Sequence, residues 1–349
     1  MARVAMVIVT VCFDSGVMGL ESKAGPQEHH QAALAPDTLQ KRVGHEVKIL
    51  QPESSPIGYG IPPLKWETTA HLRGGSAKTK MFAPMLPGVK DTYIYHTEDA
   101  YYKQYSDAYF GVTMKKQGWD CLRHYEILLS GSIPYFLDLD QVPERTMAKF
   151  PKKLVLEAMS LRGVPSQAEV KQALQKGRTV PVNLDSFDRK GYEVLRAELM
   201  MYTEAHLLTN SITAPIASEP SKIMLDSSCD HVGYMNAFLL SGLVANGHSV
   251  CMMPHHPPEL LDTWSGIGHV YGNGFSYSRT VKHTLLPSDC AGPFDIYVSV
   301  AEGNFKYPTP KPNLVSNTTK HYAVNGNDIG KSTVPVPAGV QKLWVRELN

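Results

Sequence analysis

Two stretches of this chain follow the same order of strand, loop, helix and strand, and in both the helix ends at a glycine. The first begins with a β-branched run at 4–13 (VAMVIVTVCF), and its helix ends at Gly44 before the strand HEVKIL. The second begins with KIMLDSS at 222–228, and its helix ends at Gly247 before HSVCMMP. Continuous apolar strands are typical of parallel sheets covered on both faces. Each stretch therefore predicts the opening unit of a nucleotide-binding type of α/β domain.

The other predicted elements continue this alternation and divide the chain into two parts. Strands are predicted at AYFGVT and IPYF in the first part, and at FDIYVSVAE, KHYAVNGND and KLWVREL in the last third. Residues 51–90 are rich in proline and glycine and are predicted to be irregular, whereas 151–210 is predicted to be mostly helical. A boundary is expected near 211–221 (SITAPIASEPS). We predict an α/β chain of two Rossmann-like, doubly wound domains at 1–215 and 216–349.

Length and charge limit the classes of function. The chain has 349 residues, which is enough for two domains, and a formal net charge of +1. A net charge near zero does not indicate a surface for nucleic acid. No apolar run reaches the roughly 20 residues that a membrane-spanning helix needs. The apolar N-terminal run lacks the small-residue cleavage site of a secretory signal, so we predict a buried strand and a cytoplasmic protein.

The cysteines indicate neither a disulfide framework nor a structural metal. They are odd in number and widely spaced, and no pair has zinc-ligand spacing: Cys12, Cys121, Cys229, Cys251 and Cys290. The adjacent histidines at 255 and 256 have no third ligand at a useful spacing. The triplet Asn-Thr-Thr at 317–319 has the form of a glycosylation sequon, although such triplets often arise by chance.

The most densely charged stretch is GWDCLRHYEILLSGSIPYF at 118–136, for which we predict a helix at 118–130 followed by a strand. On a helical wheel of about 100° per residue, one broad apolar face forms from Cys121, Leu122, Tyr125, Leu128 and Leu129. A second stripe beside it contains Trp119, Arg123, Glu126 and Ser130. Asp120 and His124 share the remaining side. An aromatic ring, a cation and a carboxylate beside the core face favour a binding edge over an ordinary surface ion pair, which is the alternative.

The residues around the predicted helix start are suited to a phosphate group. Unpaired backbone amides and the positive end of the helix dipole favour an anion there, and two lysines strengthen this preference. The predicted anion-binding residues are Thr113, Lys115, Lys116 and Gly118. Glu126, two turns into the helix, would accept hydrogen bonds from ribose hydroxyls. Gly131, in the turn that follows, would allow the backbone to approach the ligand.

With these residues in place, the stretch resembles the nucleotide-sugar site in GT-B-fold glycosyltransferases. The longer string DAYFGVTMKKQGWDCLRHYEILLSGSIPYFLDLDQVPERTM is similar to exostosin-like and related viral and microbial glycosyltransferases, over about residues 91–165. The resemblance implies two Rossmann-like domains in a GT-B-like arrangement. It also implies a nucleotide-diphosphate sugar as donor, such as a UDP- or GDP-sugar, a glycan or other hydroxyl acceptor, and no obligatory metal or other cofactor.

The resemblance implies roles for the stripe residues, and this chain departs from the family in one respect, the order of its domains. Arg123 would neutralise the leaving diphosphate, and Trp119 would form a wall of the base or sugar pocket. In this family the acceptor domain precedes the donor domain. Here the donor signature lies in the first predicted domain, and a new opening unit begins at 221. We therefore expect a permuted order, with the second domain on the acceptor side.

An inverting sugar transfer needs a general base, and the second predicted domain offers candidates. Asp226, Asp230 and His231 follow a predicted strand, where α/β proteins bind ligands. Asp230 or His231 is preferred as the base. Asp230 is equally suited to cap the next helix. Asp14, after the first strand, is a rival on the same argument. Glycines at 272 and 274 give a weak phosphate-loop signal that is more often a plain turn.

Two other classes of function stay open. A dinucleotide-dependent oxidoreductase or epimerase would carry a glycine-rich fingerprint after a strand and an acidic residue about 20 residues further on. Neither opening unit has this fingerprint. A non-catalytic sugar- or nucleotide-binding module would bind the donor without turnover, and the altered segment order is compatible with it.

Overall fold

Two parallel β-sheets organise the part of the chain that the structure describes. The structure is a computed structural model, and it describes residues 52–74, 77–227, 233–265, 277–303, 306–328 and 335–348. Within these ranges, six strands form a large sheet and three form a small sheet, and every strand pair is parallel. The predicted α/β class is therefore confirmed for the described residues.

The large sheet has the strand order β1-β9-β8-β7-β5-β6. Its strands are β1 (Ser54–Pro56), β5 (Lys222–Ser227), β6 (Ser249–Met253), β7 (Ile296–Ala301), β8 (Lys320–Asn325) and β9 (Lys342–Val345). The chain runs outward from β5 to β6 and then returns to β7 on the other side of β5. The direction of winding thus reverses between β5 and β7. In open α/β sheets, ligands bind at the carboxyl ends of the strands at such a point.

The small sheet has the order β2-β3-β4, with β2 at Lys80–Phe82, β3 at Ala108–Thr113 and β4 at Ile133–Phe136. All six residues of β3 and all four of β4 are buried, which explains their unbroken apolar sequences. Aromatic rings fill one side of this sheet: the ring of Tyr135 meets the rings of Phe82 and Phe110 edge to face, with centroids 5.2 and 5.9 Å apart.

The helices cover the sheets and connect their strands. They are α1 (Pro63–Thr68), α2 (Ala70–Arg73), α3 (Glu98–Ser106), α4 (Leu122–Leu129), α5 (Lys152–Met159), α6 (Gln167–Gln175), α7 (Arg189–His206), α8 (Thr209–Thr213) and α9 (Tyr234–Ala245). Helix α4 packs on β3 and β4, and α9 packs on β5 and β6. Local sequence determines where several of these helices begin. Thr97 caps α3, and Ser166 with Glu169 forms a capping box at α6.

Most predicted elements from residue 98 onward are present, but three local predictions were wrong. The described residues between 52 and 90 contain two three-residue strands and two short helices in addition to loops. The helix predicted at 118–130 spans only Leu122–Leu129, with Cys121 at its N-cap. Cys251 and Cys290 form a disulfide, whereas the cysteine pattern did not indicate a disulfide framework. None of the helices in the described ranges combines the length and hydrophobicity that a membrane span requires.

The predicted domain boundaries stay a prediction. The segment expected to separate the domains, 211–221, begins within the last three residues of α8 and ends just before β5. Strand β1, from the predicted first domain, pairs with β9 at the far end of the chain, where Ser54 aligns with Leu343. The first strand, first helix and Asp14 predicted from the sequence lie outside the described residues.

Candidate functional site at the carboxyl edges of the two sheets

The loop that follows β3 brings the carboxyl edges of the two sheets together. Its backbone amides at Trp119 and Asp120 donate hydrogen bonds to the two carboxylate oxygens of Glu347, at 3.1 and 2.9 Å. Glu347 lies two residues beyond the end of β9 and is buried. Because parallel strands present their carboxyl ends at one edge of a sheet, this contact joins the edge of the small sheet to that of the large sheet.

Gly118 makes this contact possible. A Cβ atom at this position would lie 2.5 Å from Oε1 of Glu347 and 2.8 Å from Oδ1 of Asp328. Both distances are far below van der Waals contact, so a larger residue would have to displace these carboxylates. Gly118 therefore serves the junction of the two edges, and it lies four residues before the helix rather than at its first turn.

Arg346 is the central cation of the junction. Its guanidinium is 1% exposed. It donates from Nε to the Gly326 carbonyl oxygen at 3.0 Å, and from Nη1 to the Asp120 carbonyl oxygen at 2.6 Å and to Oε1 of Glu347 at 3.0 Å. Nη2 donates to Asp328. Burial opposes the charge, but the nearby anionic groups outweigh burial and raise the pKa of Arg346 above its ordinary value. The charge is therefore permanent.

Asp120 is a second buried carboxylate of this junction, beside Glu347. Oδ2 accepts a hydrogen bond from the Tyr59 amide at 2.7 Å, and Oδ1 accepts one from the Tyr125 hydroxyl at 2.8 Å. Burial raises the pKa of Asp120 to about 6, although Arg346 and the two hydrogen bonds favour the charged form. Asp120 thus gains or loses its charge within the physiological range of pH.

Glu302 lies at the point where the winding of the large sheet reverses. It follows β7 directly, and its carboxylate accepts a hydrogen bond from the Met235 amide at 3.2 Å, in the first turn of α9. Burial raises the pKa of Glu302 to about 7, against the opposing effects of the Met235 amide and Arg346. The helix start where an anionic ligand would be expected therefore holds an internal carboxylate.

Lys115 and Lys116 are the exposed cations of the loop after β3. The Lys115 amide donates to Oδ2 of Asp138 at 3.0 Å, and its ammonium lies 4.7 Å from the centre of the half-buried Trp119 ring. The Lys116 amide donates to the Gly118 carbonyl oxygen at 3.2 Å, which closes the loop. Three predicted ligands, Lys115, Lys116 and Trp119, thus share one loop at the carboxyl edge.

Thr113 and His124 connect this loop to the buried end of β3 and to α4 through hydrogen bonds. Both are fully buried, and the Thr113 hydroxyl lies 2.9 Å from Nδ1 of His124. Nε2 of His124 lies 2.8 Å from the Trp119 carbonyl oxygen. Burial lowers the pKa of His124 to about 3, so the ring is neutral. A carbonyl oxygen can only accept, so Nε2 carries the proton and Nδ1 accepts from Thr113. Thr113 therefore positions the loop and has no surface for a ligand.

Arg123 and Glu126 point toward α3 and the residues before it. Nη2 of Arg123 donates to the Tyr93 hydroxyl at 2.8 Å. The Glu126 carboxylate is 3% exposed and accepts a hydrogen bond from the Tyr101 hydroxyl at 2.5 Å. Within the stripe predicted as a binding edge, α3 thus covers Glu126, and Tyr93 holds Arg123. A ribose could reach Glu126 only if this packing changed.

Gly131 lies at the opposite edge of the small sheet. It has a φ of +72° in the turn between α4 and β4, at the amino end of β4. Its carbonyl oxygen accepts a hydrogen bond from Nε of Arg196 at 2.7 Å, and Arg73 donates from Nη1 to the Leu129 carbonyl oxygen at 3.0 Å. The two arginines stabilise the negative end of α4. The structure therefore does not bring Gly131 together with Lys115 and Lys116.

Two cavities lie at the amino ends of the strands, away from this junction. One, of about 440 Å³, borders the starts of β5, β7, β8 and β9, and its charged lining residues are Glu219, Asp295, Lys320 and Lys342. The other, of about 310 Å³, borders the starts of β2 and β3 and contains Lys78, Arg189, Glu193 and Arg196. The Lys78 side chain donates to three oxygens near the end of α3, and burial lowers the pKa of Lys78 to about 7.

Several predicted residues lie outside the described ranges. They include both preferred bases, Asp230 and His231, and the glycines at 272 and 274. Asp226 is described: it is the next-to-last residue of β5 and accepts a hydrogen bond from the Tyr297 hydroxyl. Over the described part of the chain, no group of three or more His, Cys, Asp or Glu side chains is placed to hold a metal ion.

Comparisons with protein-family models, with curated proteins and with solved structures found no match. The resemblance to GT-B glycosyltransferases therefore stays a prediction from the residues quoted for it.

Sequence reasoning missed four charged residues of the junction: Glu302, Asp328, Arg346 and Glu347. Glu302 and Asp328 are the last residues of the predicted strands FDIYVSVAE and KHYAVNGND, so the rule that drew attention to Asp226 also applied to them. Arg346 and Glu347 were placed inside a predicted strand, KLWVREL, which ends at Val345. An arginine and a glutamate in sequence directly after an apolar strand were the available signal.

Proposed function

We propose that this chain is a glycosyltransferase that moves a sugar from a nucleotide-diphosphate donor to a hydroxyl acceptor, with the site between the carboxyl edges of the two sheets. The observation that carries the proposal is the junction of these edges at residues 118–120. A GT-B-like arrangement places its cleft between two such edges, and α/β sheets bind ligands there. The two-domain arrangement is part of the proposal.

The loop after β3 supplies the proposed donor site. Lys115 and Lys116 are exposed and would bind the diphosphate, and their charge would stabilise the negative charge that develops as it leaves. The Trp119 ring lies beneath Lys115 and would pack against the base or the sugar. Thr113, Gly118, Arg123, Glu126 and Gly131 are assigned to the scaffold, because they are buried, hold other side chains or lie at the far edge.

A base at the carboxyl edge of the large sheet would complete the reaction. The acceptor hydroxyl oxygen forms a bond to the anomeric carbon, the bond from that carbon to the diphosphate breaks, and the base takes the hydroxyl proton. Asp230 and His231 remain the residues predicted for this step. Among the described acids, Glu302 is a further candidate, because it follows β7 and its pKa of about 7 suits proton transfer near neutral pH.

The test is a thermal-shift series with UDP, GDP, CDP, ADP and NAD. A ligand that binds only the folded state stabilises it, by about 2.7 kcal/mol at a hundredfold excess over Kd. We expect one nucleoside diphosphate to raise the Tm of the wild type and to have little effect on the double variant Lys115→Ala, Lys116→Ala. Lys153→Ala is the matched control, since this lysine on α5 is 91% exposed and lies outside the junction.

The outcomes separate the proposal from its alternatives. A shift with a diphosphate that the control keeps and the double variant loses supports the donor site. A shift that the double variant keeps refutes the assignment of these lysines, and a shift with NAD alone favours a dinucleotide enzyme. Adding a chelator to an activity assay tests the implied metal independence, because activity that is lost and then restored by a divalent cation contradicts it.

A non-catalytic binding module is the second candidate, and Glu347 favours it. Its carboxylate occupies the amides of Trp119 and Asp120, which lie in the loop predicted to hold the diphosphate. Incubation with the stabilising UDP- or GDP-sugar and simple glycans distinguishes the two candidates. Release of the nucleoside diphosphate that increases with acceptor concentration supports a transferase, whereas binding without release supports the module.

The disulfide does not favour the cytoplasmic location that the sequence predicts. The disulfide between Cys251 and Cys290 is a type of bond that is rare in cytosolic proteins, where thiols are kept reduced.

A further inference from the structure

The turn at 316–319 presents one asparagine to solvent. The Thr319 amide donates to the Ser316 carbonyl oxygen at 3.1 Å, which makes a four-residue turn with Asn317 and Thr318 at its tip. Asn317 and Thr318 are exposed. The last residue of the turn directly precedes β8, so this end of the turn is held by the large sheet.

The third residue of the triplet holds the turn in place without involving Asn317. The Thr319 hydroxyl donates to the Phe294 carbonyl oxygen at 2.6 Å and accepts a hydrogen bond from the Ser316 amide at 2.8 Å. A large group on the Asn317 side chain would therefore extend into solvent and leave these contacts intact.

The disulfide is an independent observation on the compartment in which the chain folds. Cys251 is buried in β6, and Cys290 lies in an exposed loop 39 residues later. Forming the bond removes two electrons and two protons from the thiols, and a protein disulfide that is reduced in exchange accepts them. Such bonds form and persist in oxidising compartments such as the lumen of the endoplasmic reticulum.

We infer that Asn317 is a site of N-linked glycosylation in this protein. The side-chain nitrogen of Asn317 forms a bond to the anomeric carbon of an oligosaccharide carried on a lipid diphosphate. The bond from that carbon to the diphosphate breaks, the lipid diphosphate leaves, and the amide nitrogen loses one proton. The inference is independent of the proposed transferase activity, because it rests on the turn and the disulfide alone.

The test uses the full chain expressed in a eukaryotic cell line. Treatment with peptide N-glycosidase is expected to increase its electrophoretic mobility in one step and to convert Asn317 to aspartate, which mass spectrometry detects. Asn317→Gln and Thr319→Val are expected to remove the glycan. Thr319→Ser retains the hydroxyl of the sequon and is expected to keep the glycan, which separates loss of the sequon from damage to the turn.

Alkylation of free thiols before digestion reports on Cys251 and Cys290 in the same samples. A glycan at Asn317 together with the disulfide supports the inference. A chain that contains the disulfide but carries no glycan at Asn317 overturns it, and so does a chain with reduced thiols and no glycan. A glycosidase-dependent shift that persists in Asn317→Gln places the glycan elsewhere and also overturns the inference.

Discussion

Arg346 donates a hydrogen bond from Nη1 to the backbone carbonyl oxygen of Asp120, 226 residues earlier in the chain, at 2.6 Å. This bond joins the residue directly after β9, in the large sheet, to the loop that follows β3 in the small sheet. The guanidinium also binds Asp328 and Glu347, so one cation compensates a group of buried or half-buried carboxylates.

Replacing Arg346 by methionine should destabilise the protein strongly. Methionine retains much of the apolar volume but leaves Asp120, Asp328 and Glu347 without their cation, and breaking a buried ion pair costs about 3–5 kcal/mol. Urea denaturation of the wild type and Arg346→Met measures the loss. Arg178→Met, at an exposed position, is the control and should change the free energy of unfolding by less than about 0.5 kcal/mol. Equal effects of the two substitutions would contradict this role of Arg346.

Substituting alanine for Gly118 should also destabilise the junction. The new methyl group would lie 2.5 Å from Oε1 of Glu347 and 2.8 Å from Asp328, and overpacking of this kind costs about 1–3 kcal/mol. Gly74→Ala is the control, since a methyl group added there would lie 3.8 Å from its nearest neighbours. The readout is the free energy of unfolding, and a Gly118→Ala protein as stable as Gly74→Ala would count against close packing here.

Asp120→Asn should change how stability depends on pH between about 4 and 6. The pKa of Asp120 is raised to about 6 by burial, so in this range the folded protein holds a proton that the unfolded chain has lost. Because of this proton, the free energy of unfolding falls as pH rises from 4 to 6. The full loss of stability is reached above pH 6. Asparagine removes the proton, so the slope of the unfolding free energy should become more positive by about 1.4 kcal/mol per pH unit.

The amide side chain of the Asp120→Asn variant can keep both hydrogen bonds if the Tyr125 hydroxyl turns to accept. The variant should therefore fold, and its pH profile is measurable by denaturation at half-unit steps. Glu302→Gln is the companion variant. Burial raises the pKa of Glu302 to about 7. Glu302→Gln should therefore change the slope of the unfolding free energy against pH up to about pH 7, a higher limit than for Asp120→Asn. Parallel profiles for the wild type and Asp120→Asn would show that Asp120 has an ordinary pKa.

His124 should stay neutral far below the usual pKa of histidine. Burial lowers its folded-state pKa to about 3, so below pH 6.5 the unfolded chain binds a proton that the folded protein does not. This difference makes stability fall as pH decreases from 6.5 toward 3. Nitrogen NMR at pH 5 should show a ring protonated on Nε2 alone. A His124 signal that titrates near pH 6.5 would contradict the buried, hydrogen-bonded ring.

Loss of the disulfide should reduce stability more than loss of the Cys121 thiol. A bridge between residues 39 apart restricts the unfolded chain by about 4 kcal/mol in the loop-entropy model. Cys290→Ser should therefore lower Tm, and adding a reductant should lower the Tm of the wild type but not of this variant. Cys121→Ser, at the half-buried free cysteine, is the control and should keep its response to the reductant.

Strands and helices with a clear apolar pattern were predictable from the sequence. The buried strands AYFGVT and IPYF, and the helix predicted to end at Gly247, were recognised because their apolar patterns are local. This helix is α9, which ends at Ala245. Strands β1 and β2 were missed, since three residues give no pattern and pairing with distant strands defines them. The start of α4 was placed four residues early, because Trp119 and Asp120 extend outward to bind Glu347 instead of continuing the helix.

The candidate site was less predictable than the elements that form it. The lysine loop was correctly placed after a strand, but the helical wheel could not show which faces other elements would cover. Glu126 appeared available on the wheel, yet Tyr101 of α3 approaches and covers it. The junction itself depends on Arg346 and Glu347 meeting residues more than 200 positions away, and no local pattern contains that information.

Strand β9 lies between β8 and β1, and this position has a consequence for the order of folding. The small sheet forms from residues 80–136 and needs only local connections, so it should fold early. Pairing β1 with β9 must close a loop that contains the entire small sheet. Folding rates fall as paired residues become more distant in sequence, so insertion of β9 should be slow. Until it occurs, the edge of β8 is open to other chains, and newly made molecules would benefit from a chaperone during that interval.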